Sequence, residues 1–560
     1  MNNKTIAKTI RLYAQLMELH GENAFRTKAM AAAAFKLDKL PFLITPDTLE
    51  KLSDVPGIGK STADKIASLL TTGSFPELER LTGNTPEGIR EMLTIKGLGP
   101  KKIQVIWRDL GIESVGELFY ACNENRLVEA KGFGLKTQEE IKRAIEFAVA
   151  AQGWFLYANV EKLAEEVMHA LRKQLPADRK IAYTGEFRRK CEVLQSVDFL
   201  VESSLEGLTE AVANLPGLFI GSSVDSLLEA RTEVGLRFRF LATDARGFYR
   251  NLLISTGSDR HLQQLEELLN ESQLPEFDSE EAIYRSIGLD YVEPELREGT
   301  NELALAAAGS LPTLIHYSDL RGALHNHSTY SDGVNTMEEM AMYCRDELRL
   351  EYLGISDHSR TAVYAKGLSI ERVQEQWAEI DALNTRLAPF HIFKGIESDI
   401  LSDGSLDYPD EILAGFDFVV ASIHANLRMD AKKATGRLIR AIENPYTTIL
   451  GHPTGRLLLS RSGYPVDYAR IIDACAANGV AIEINANPLR LDLDWRWHRY
   501  AVEKGVLFSI NPDAHRNGGF HDMQYGVHVA RKGGLTLSDC LNTFTLDQIK
   551  LYFSGKRPKP

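Results

Sequence analysis

Cysteine is scarce: Cys122, Cys191, Cys344, Cys475 and Cys540 are the only five in 560 residues, and no CxxC pair occurs among them. Thiols scattered in this way do not supply a cysteine zinc site, and they fit a reducing compartment better than a disulfide-stapled secreted domain. Long apolar runs are missing too. No stretch approaches the ~20 residues needed to span a bilayer, and no secretory signal opens the chain. These absences lead to the expectation of a cytoplasmic protein without a membrane partner. Positive charge is also in deficit, with 64 Lys+Arg against 77 Asp+Glu and a net charge of −13. That excludes a uniformly basic surface for nucleic acid. It leaves room for a local one, because residues 1–150 hold 21 basic against 19 acidic side chains, and the rest of the chain carries the whole deficit. Length is what the chain has in abundance. A chain of 560 residues exceeds one hydrophobic core, so three or more domains are expected.

From about residue 316 one pattern repeats: a short apolar run of strand type, a polar stop, then an amphipathic helix. The runs are DLRGALHNH, LEYLGISDH, FHIFKGIES, FDFVVASIH, YTTILGH, GVAIEINAN and GVLFSINPDAH, and they close near His325, His358, Glu397, His424, His452, Asn485 and His515. The spacing of about 30 residues suits a strand, a helix and two loops, which gives seven βα units. Nearly continuous apolar strands alternating with helices imply a parallel sheet covered on its outside, here closed into a barrel. In such barrels the C-terminal strand ends converge on one mouth. Those ends collect His325, His327, Asp332, His358, Glu397, His424, His452, Asp513 and His515. Imidazoles and carboxylates are the donors that Zn²⁺, Mn²⁺ and Fe²⁺ prefer. Nine donors exceed the need of one ion, so two or three are expected, with Glu397 as a bridging carboxylate. A lone HxH pair is usually structural; six strand ends delivering donors to one mouth point to metal.

The strings HNHSTYSDG, SDHS, GIESDIL, SIHAN, GHPTGR, EINANPLRLDLDW and PDAHR resemble the polymerase-and-histidinol-phosphatase (PHP) family across residues 316–560. The resemblance implies a distorted seven-stranded barrel with a three-metal site, in which Glu397, Asp513 and His515 act in catalysis. EINANPLRLDLDW and the upstream ELREG are most similar to the version fused to bacterial family X DNA polymerases.

Near the N-terminus, VPGIGKSTADKI, IKGLGPKKIQVI and AKGFGLKTQEEI share a hydrophobic-x-G-h-G turn followed by a helix. One such turn usually marks only a tight bend. Three copies resemble helix-hairpin-helix motifs, which grip a DNA backbone without reading its sequence. The expected contacts are Gly57, Gly59 and Lys60; Gly97, Gly99, Lys101 and Lys102; and Gly132, Gly134 and Lys136. The opening LHGENAFRTKAMAAAAFKL resembles the small lyase-type domain of family X polymerases. Lys65 stands where lyase-active members carry the Schiff-base lysine, although its local sequence reads as an ordinary surface-helix lysine.

Residues 181–201, IAYTGEFRRKCEVLQSVDFLV, resemble the family X palm, with Gly185, Arg188, Arg189 and Glu192 in place. Nucleotidyl transfer needs clustered carboxylates to hold two Mg²⁺. Here Ser196 replaces the first D-x-D aspartate and only Asp198 remains. The third carboxylate is expected in a V-D-L-R strand, which VGLRF aligns with Gly235. Glu186 replaces the serine that cradles triphosphate. Magnesium in the palm is thus not expected, and the palm and thumb read as a frame without polymerase chemistry.

The expected layout is a lyase-like helical domain over 1–80, a fingers-like helix-hairpin-helix region over 81–150, a nucleotidyltransferase-like α+β palm over 151–245, a thumb-like region and linker over 246–315, and the α/β PHP barrel over 316–560. The expected function is a metal-dependent DNA phosphoesterase, a 3′–5′ exonuclease or abasic-site endonuclease of base-excision repair, acting as a monomer on gapped, nicked or abasic DNA. Two alternatives stand beside it. One is a small-molecule phosphatase of the histidinol-phosphate kind, for which three backbone grips have no use. The other is an active gap-filling polymerase, which needs the missing carboxylates.

Overall fold

A computed structural model describes residues 2–95, 97–128, 130–150, 153–268 and 277–556. Lys96 of the second hairpin and the expected segment boundary at residue 151 lie outside them. The chain gathers into two compact units, Met1–Ala148 and Val149–Pro560. The five segments expected from the sequence are thus distributed over a helical unit and one larger unit.

In the helical unit each glycine turn opens a helix: Lys60–Thr72 (α1), Pro100–Arg108 (α2) and Leu135–Ala150 (α3). Gly57, Gly97 and Gly132 adopt φ of +87°, +91° and +88°, a left-handed conformation that costs glycine little. The apolar residue between the glycines turns inward in the first two copies, where Ile58 and Leu98 are buried. Three segments with unrelated flanks thereby make the same turn.

The larger unit holds a five-stranded sheet made of Ile181–Thr184 (β1), Ser196–Glu202 (β2), Phe219–Val224 (β3), Leu227–Arg231 (β4) and Arg237–Thr243 (β5), in the order β1-β2-β5-β4-β3. Only β2 and β5 run parallel. Alternation along β2 and β5 sends Val197, Phe199, Val201, Phe238 and Phe240 into one core. Ser196, Asp198, Arg237 and Arg239 therefore fall on the opposite face.

The C-terminal part forms the expected seven parallel strands in chain order: Gly322–Ala323 (β6), Tyr352–Ile355 (β7), His391–Asp399 (β8), Phe418–Ser422 (β9), Ile449–Leu450 (β10), Ala481–Asn485 (β11) and Phe508–Asn511 (β12). A parallel bridge between Asn326 and Ala514 joins the first strand's extension to the last. The two-residue strand period explains the interior. Columns such as Tyr352–Gly354–Ser356–His358, Phe393–Gly395–Glu397 and Phe418–Val420–Ser422–His424 run from apolar at the bottom to the histidines and the glutamate expected as ligands at the top. Tyr352, Phe393 and Phe418 fill the bottom with Ile549 and Phe553 from the C-terminal helix Leu546–Lys556. Glycine is required at 395, where a Cβ would lie 2.2 Å from the Phe418 ring. The apolar plug leaves the upper end of each column for polar side chains. Among the described residues no helix is long and apolar enough to cross a membrane, and all five cysteines are free thiols.

Candidate metal centre

The nine residues expected as ligands meet at the C-terminal mouth of the barrel, with Glu397 at the centre. Its Oε1 lies 3.2 Å from His325 Nε2, 3.1 Å from His424 Nε2 and 3.0 Å from His452 Nε2. Its Oε2 lies 2.9 Å from His358 Nδ1 and 3.6 Å from His327 Nε2. Asp332 stands 3.6 Å from His358 Nε2 and 3.4 Å from His515 Nε2. Asp513 stands 3.0 Å from His327 Nε2 and 3.7 Å from His325 Nε2. Three overlapping donor groups are compact enough to hold an ion: His327, Asp332, His358 and His515; His325, His327 and Asp513; and His358, Glu397 and His424.

The cluster fits divalent metal ions on its own chemistry. Both ring nitrogens of His327 and His358, Asp332 Oδ2 and Glu397 Oε2 are buried and, although they lie close to one another, none is aligned in a hydrogen bond, an arrangement that is costly unless a cation completes it. Burial pushes the Glu397 carboxyl upward, but His424, His325 and His358 outweigh it and hold the group well below the usual carboxylate range. Asp332 and Asp513 are held down in the same way by neighbouring histidines. Burial, reinforced by His515 and His358, brings His327 down to about 4 and leaves it neutral. Ionised carboxylates and a neutral His327 are donor states that metals take, whereas the carboxylates beside His325, His358 and His424 raise those rings, which would release their protons on binding an ion. Backbone strain accumulates here as well, with φ of +53° at Asp513 and +21° at His452, as is common where a site over-determines its ligands.

Three supporting carboxylates were missed from the sequence. Glu483 is fully buried. Its Oε1 lies 2.7 Å from His325 Nδ1 and accepts from Asn511 Nδ2 at 2.9 Å, while its Oε2 accepts from the His452 backbone N–H at 2.6 Å. Asp399 lies 2.5 Å from His424 Nδ1. Asp357 accepts from the backbone N–H of Ser328 and the side chains of Ser328 and Gln376, fixing the loop that follows His327. Such groups set ring orientation and tautomer of the ligands. The signal was in the strand period: Asp399 lies two residues after Glu397, and Glu483 two before Asn485, on the same interior faces.

In the helical unit, Gly59 and Gly99 cap α1 and α2 with no side-chain bond to the first-turn amides. Lys60, Lys101 and Lys136 are exposed beside the turns. Lys102 instead reaches back to the Gly97 carbonyl at 3.3 Å. Lys65 is no surface lysine. Its side chain is 9 % exposed and forms an ion pair with Glu77 at 2.6 Å, with its Nζ 5.5 Å from the Phe75 ring centroid.

The palm face carries a cavity of about 590 Å³ lined by Gly185, Glu186, Arg189, Ser196 and Asp198 among others. Gly185 has φ of +60°, and a Cβ there would lie 2.6 Å from Asp198 Oδ2. The position of the third carboxylate needs correction. Gly235 lies in the turn before β5, its N–H bonded to the Thr232 carbonyl, and does not line the cavity. The residue in register beside Asp198 is Arg239, whose Nη1 lies 3.3 Å from Asp198 Oδ2. Ser196 Oγ donates to Asp198 Oδ1 at 2.7 Å. Asp198, the one carboxylate left at the expected positions, is flanked by two guanidiniums, Arg237 and Arg239, a poor fit for the paired magnesium ions of nucleotidyl transfer.

Residues 1–75 match the model of a helix-hairpin-helix domain, and residues 89–146 that of a SAM-like helix-hairpin-helix tandem. The DNA polymerase/3′-5′ exonuclease PolX of Bacillus subtilis (strain 168) is 32% identical over 573 residues, covering 99% of each chain. A probable phosphatase of Thermoanaerobacter sp. (strain X514) is 28% identical over 230 residues, which is 37% of this chain and 91% of that protein. A probable phosphatase of Vibrio parahaemolyticus is 28% identical over 178 residues, 30% of this chain and 69% of that protein.

Proposed function

Because the chain belongs to the bacterial family X DNA polymerases that carry a C-terminal PHP barrel, we propose that it is a DNA-directed metal-dependent phosphodiesterase whose palm no longer polymerises. The barrel acts as a 3′–5′ exonuclease or abasic-site endonuclease in base-excision repair, charged with two or three Mn²⁺, Zn²⁺ or Fe²⁺ ions. The observation that carries this reading is the buried cluster of nine donors around Glu397. Divalent ions bound there would activate a water and stabilise the charge that develops on a phosphodiester. The chain's own residues define the rest. Glu397 presents one oxygen to each side of the cluster. Asp513 and His515, at the rim of the last strand, are the groups proposed to handle the proton. Glu483, Asp399 and Asp357 hold the ligand rings and loops in place. The hairpins supply a sequence-independent grip on the phosphate backbone, which favours DNA over a small phosphomonoester.

Incubating the full-length protein with end-labelled gapped DNA, with and without dNTPs, in Mn²⁺ or Mg²⁺, tests the proposal. Shortening is expected, and extension is not. Glu397→Ala should lower hydrolysis by orders of magnitude and leave DNA affinity nearly unchanged, because the grips lie elsewhere. Full activity in that variant would refute the assignment.

A further inference from the structure

The loop that follows His358 carries an aromatic side chain that none of the metal chemistry uses. Residues 359–368 leave the strand end, make a short turn at Val363–Ala365 and return, so that Ser359 and Leu368 form a bridge. The loop is firmly held. Thr361 donates through its N–H and Oγ1 to Asp407 at 2.7 and 2.9 Å, and its Oγ1 also donates to Asp399 at 2.7 Å. Gly367 packs so tightly that a Cβ would meet the Ser359 carbonyl at 1.9 Å. Ala362 and Ala365 are buried, whereas Val363 and Tyr364 between them are 81 % and 40 % exposed. A rigid turn thus buries its small residues and presents its large ones. The Tyr364 ring centroid lies 6.1 Å from that of His358 and 6.5 Å from that of His424, at 59° and 70° to them. Basic side chains follow in sequence: Lys366 just after Tyr364, Arg428 on the loop after His424, and Lys432 and Lys433 in the first turn of the helix Ala431–Ile442.

We infer that Tyr364 is a substrate-contacting residue, the platform on which the terminal nucleobase of a DNA strand stacks while its phosphodiester lies over the metal cluster. The inference rests on the nuclease reading above and gives it a substrate determinant. Every base has a π-face, so an exposed ring on a fixed turn accepts any terminal base and adds no sequence preference. A phosphomonoester of a small metabolite has no base for the ring to meet.

The test compares wild type, Tyr364→Phe and Tyr364→Ala in the full-length protein, on two Mn²⁺-dependent substrates. One oligonucleotide ends in an ordinary 3′ nucleotide, and the other ends in a tetrahydrofuran abasic analogue. Tyr364→Ala should raise KM on the ordinary end by about tenfold, with kcat little changed, and leave the abasic end unaffected. Tyr364→Phe should behave as wild type. A second readout does not depend on turnover: a terminal 2-aminopurine behind a hydrolysis-resistant phosphorothioate link should lose fluorescence on wild type and on Tyr364→Phe but not on Tyr364→Ala. Equal effects of Tyr364→Ala on both ends, or identical quenching by all three proteins, would overturn the inference while leaving the nuclease reading intact. Wild type that cleaves neither end would sink both.

Discussion

Removing Glu483 should damage the metal centre without touching a ligand. Three buried donors lie 2.6–2.9 Å from its two oxygens: the His325 ring, the His452 backbone N–H and the Asn511 amide. Glu483→Ala leaves all three without that acceptor at a fully buried position. Each orphaned buried donor costs about 1–3 kcal/mol, so the sum is about 3–9 kcal/mol before relaxation. Two of the three donors belong to ligands, so part of that cost appears as misplaced imidazoles. Loss of such a supporting group typically weakens metal binding by about 10–100-fold. Glu483→Gln keeps one acceptor oxygen and should fall between alanine and wild type. Competition against a chelator of known affinity measures the first effect, and thermal unfolding with and without metal measures the second. The reasoning fails if Glu483→Ala retains its ions at wild-type affinity and melts within about 1 °C of wild type.

The hairpins, the palm and the barrel core each carry an independent expectation. Replacing Lys60, Lys101 and Lys136 with alanine should weaken DNA binding and reduce the slope of log K against log salt by about three, whereas Lys102→Ala alone should change little, being tied to the Gly97 carbonyl. An unchanged slope in the triple variant would place the DNA on another surface. The full-length protein should add no nucleotides to a primer, because each missing metal-holding carboxylate removes several kcal/mol of transition-state stabilisation, about 1.4 kcal/mol per tenfold in rate. The rescue suggested by the strand register is Ser196→Asp with Arg239→Asp and Glu186→Ser; extension by the unmodified protein would show the palm to be misread. His498 is fully buried, and burial lowers it to about 4 from an ordinary value of 6.5. The unfolded chain then takes up a proton that the folded chain refuses, so this group removes stability as pH falls from 6.5 towards 4, by at most about 3 kcal/mol. Acid unfolding of His498→Phe should be flatter over that window than that of wild type, and parallel curves would contradict the burial argument.

The palm residues that match the family X pattern and those that depart from it divide by what they touch. Arg188 pairs with Glu280 at 2.5 Å, and Glu280 also holds the buried Arg297. Arg189 and Lys532 share Glu298, at 3.0 and 2.5 Å. Glu192 lies 3.8 Å from Arg456, four residues beyond His452. These contacts tie the palm to the ELREG segment and to the barrel, and they persist without any nucleotide chemistry. Ser196, Arg239 and Glu186, the departures, face the open cavity rather than the core.

The barrel and the meeting of nine His, Asp and Glu side chains at its mouth were legible in the sequence because a parallel strand announces itself as an apolar run, and its last inward residue falls at a countable position. The three glycine turns were legible for a similar local reason: a left-handed φ demands glycine, and Gly57, Gly97 and Gly132 all adopt one. What the tertiary structure decided is whatever depends on register or on burial between distant segments. Arg239, rather than Gly235, stands beside Asp198 because β2 and β5 pair that way, and a motif alignment cannot count across an unknown turn. Lys65 is buried against Glu77 because a helix twelve residues on folds over it, which its own neighbours do not foretell. Glu483 joins the first strand's histidine to the fifth strand's, a contact that exists only once the sheet has curled into a barrel.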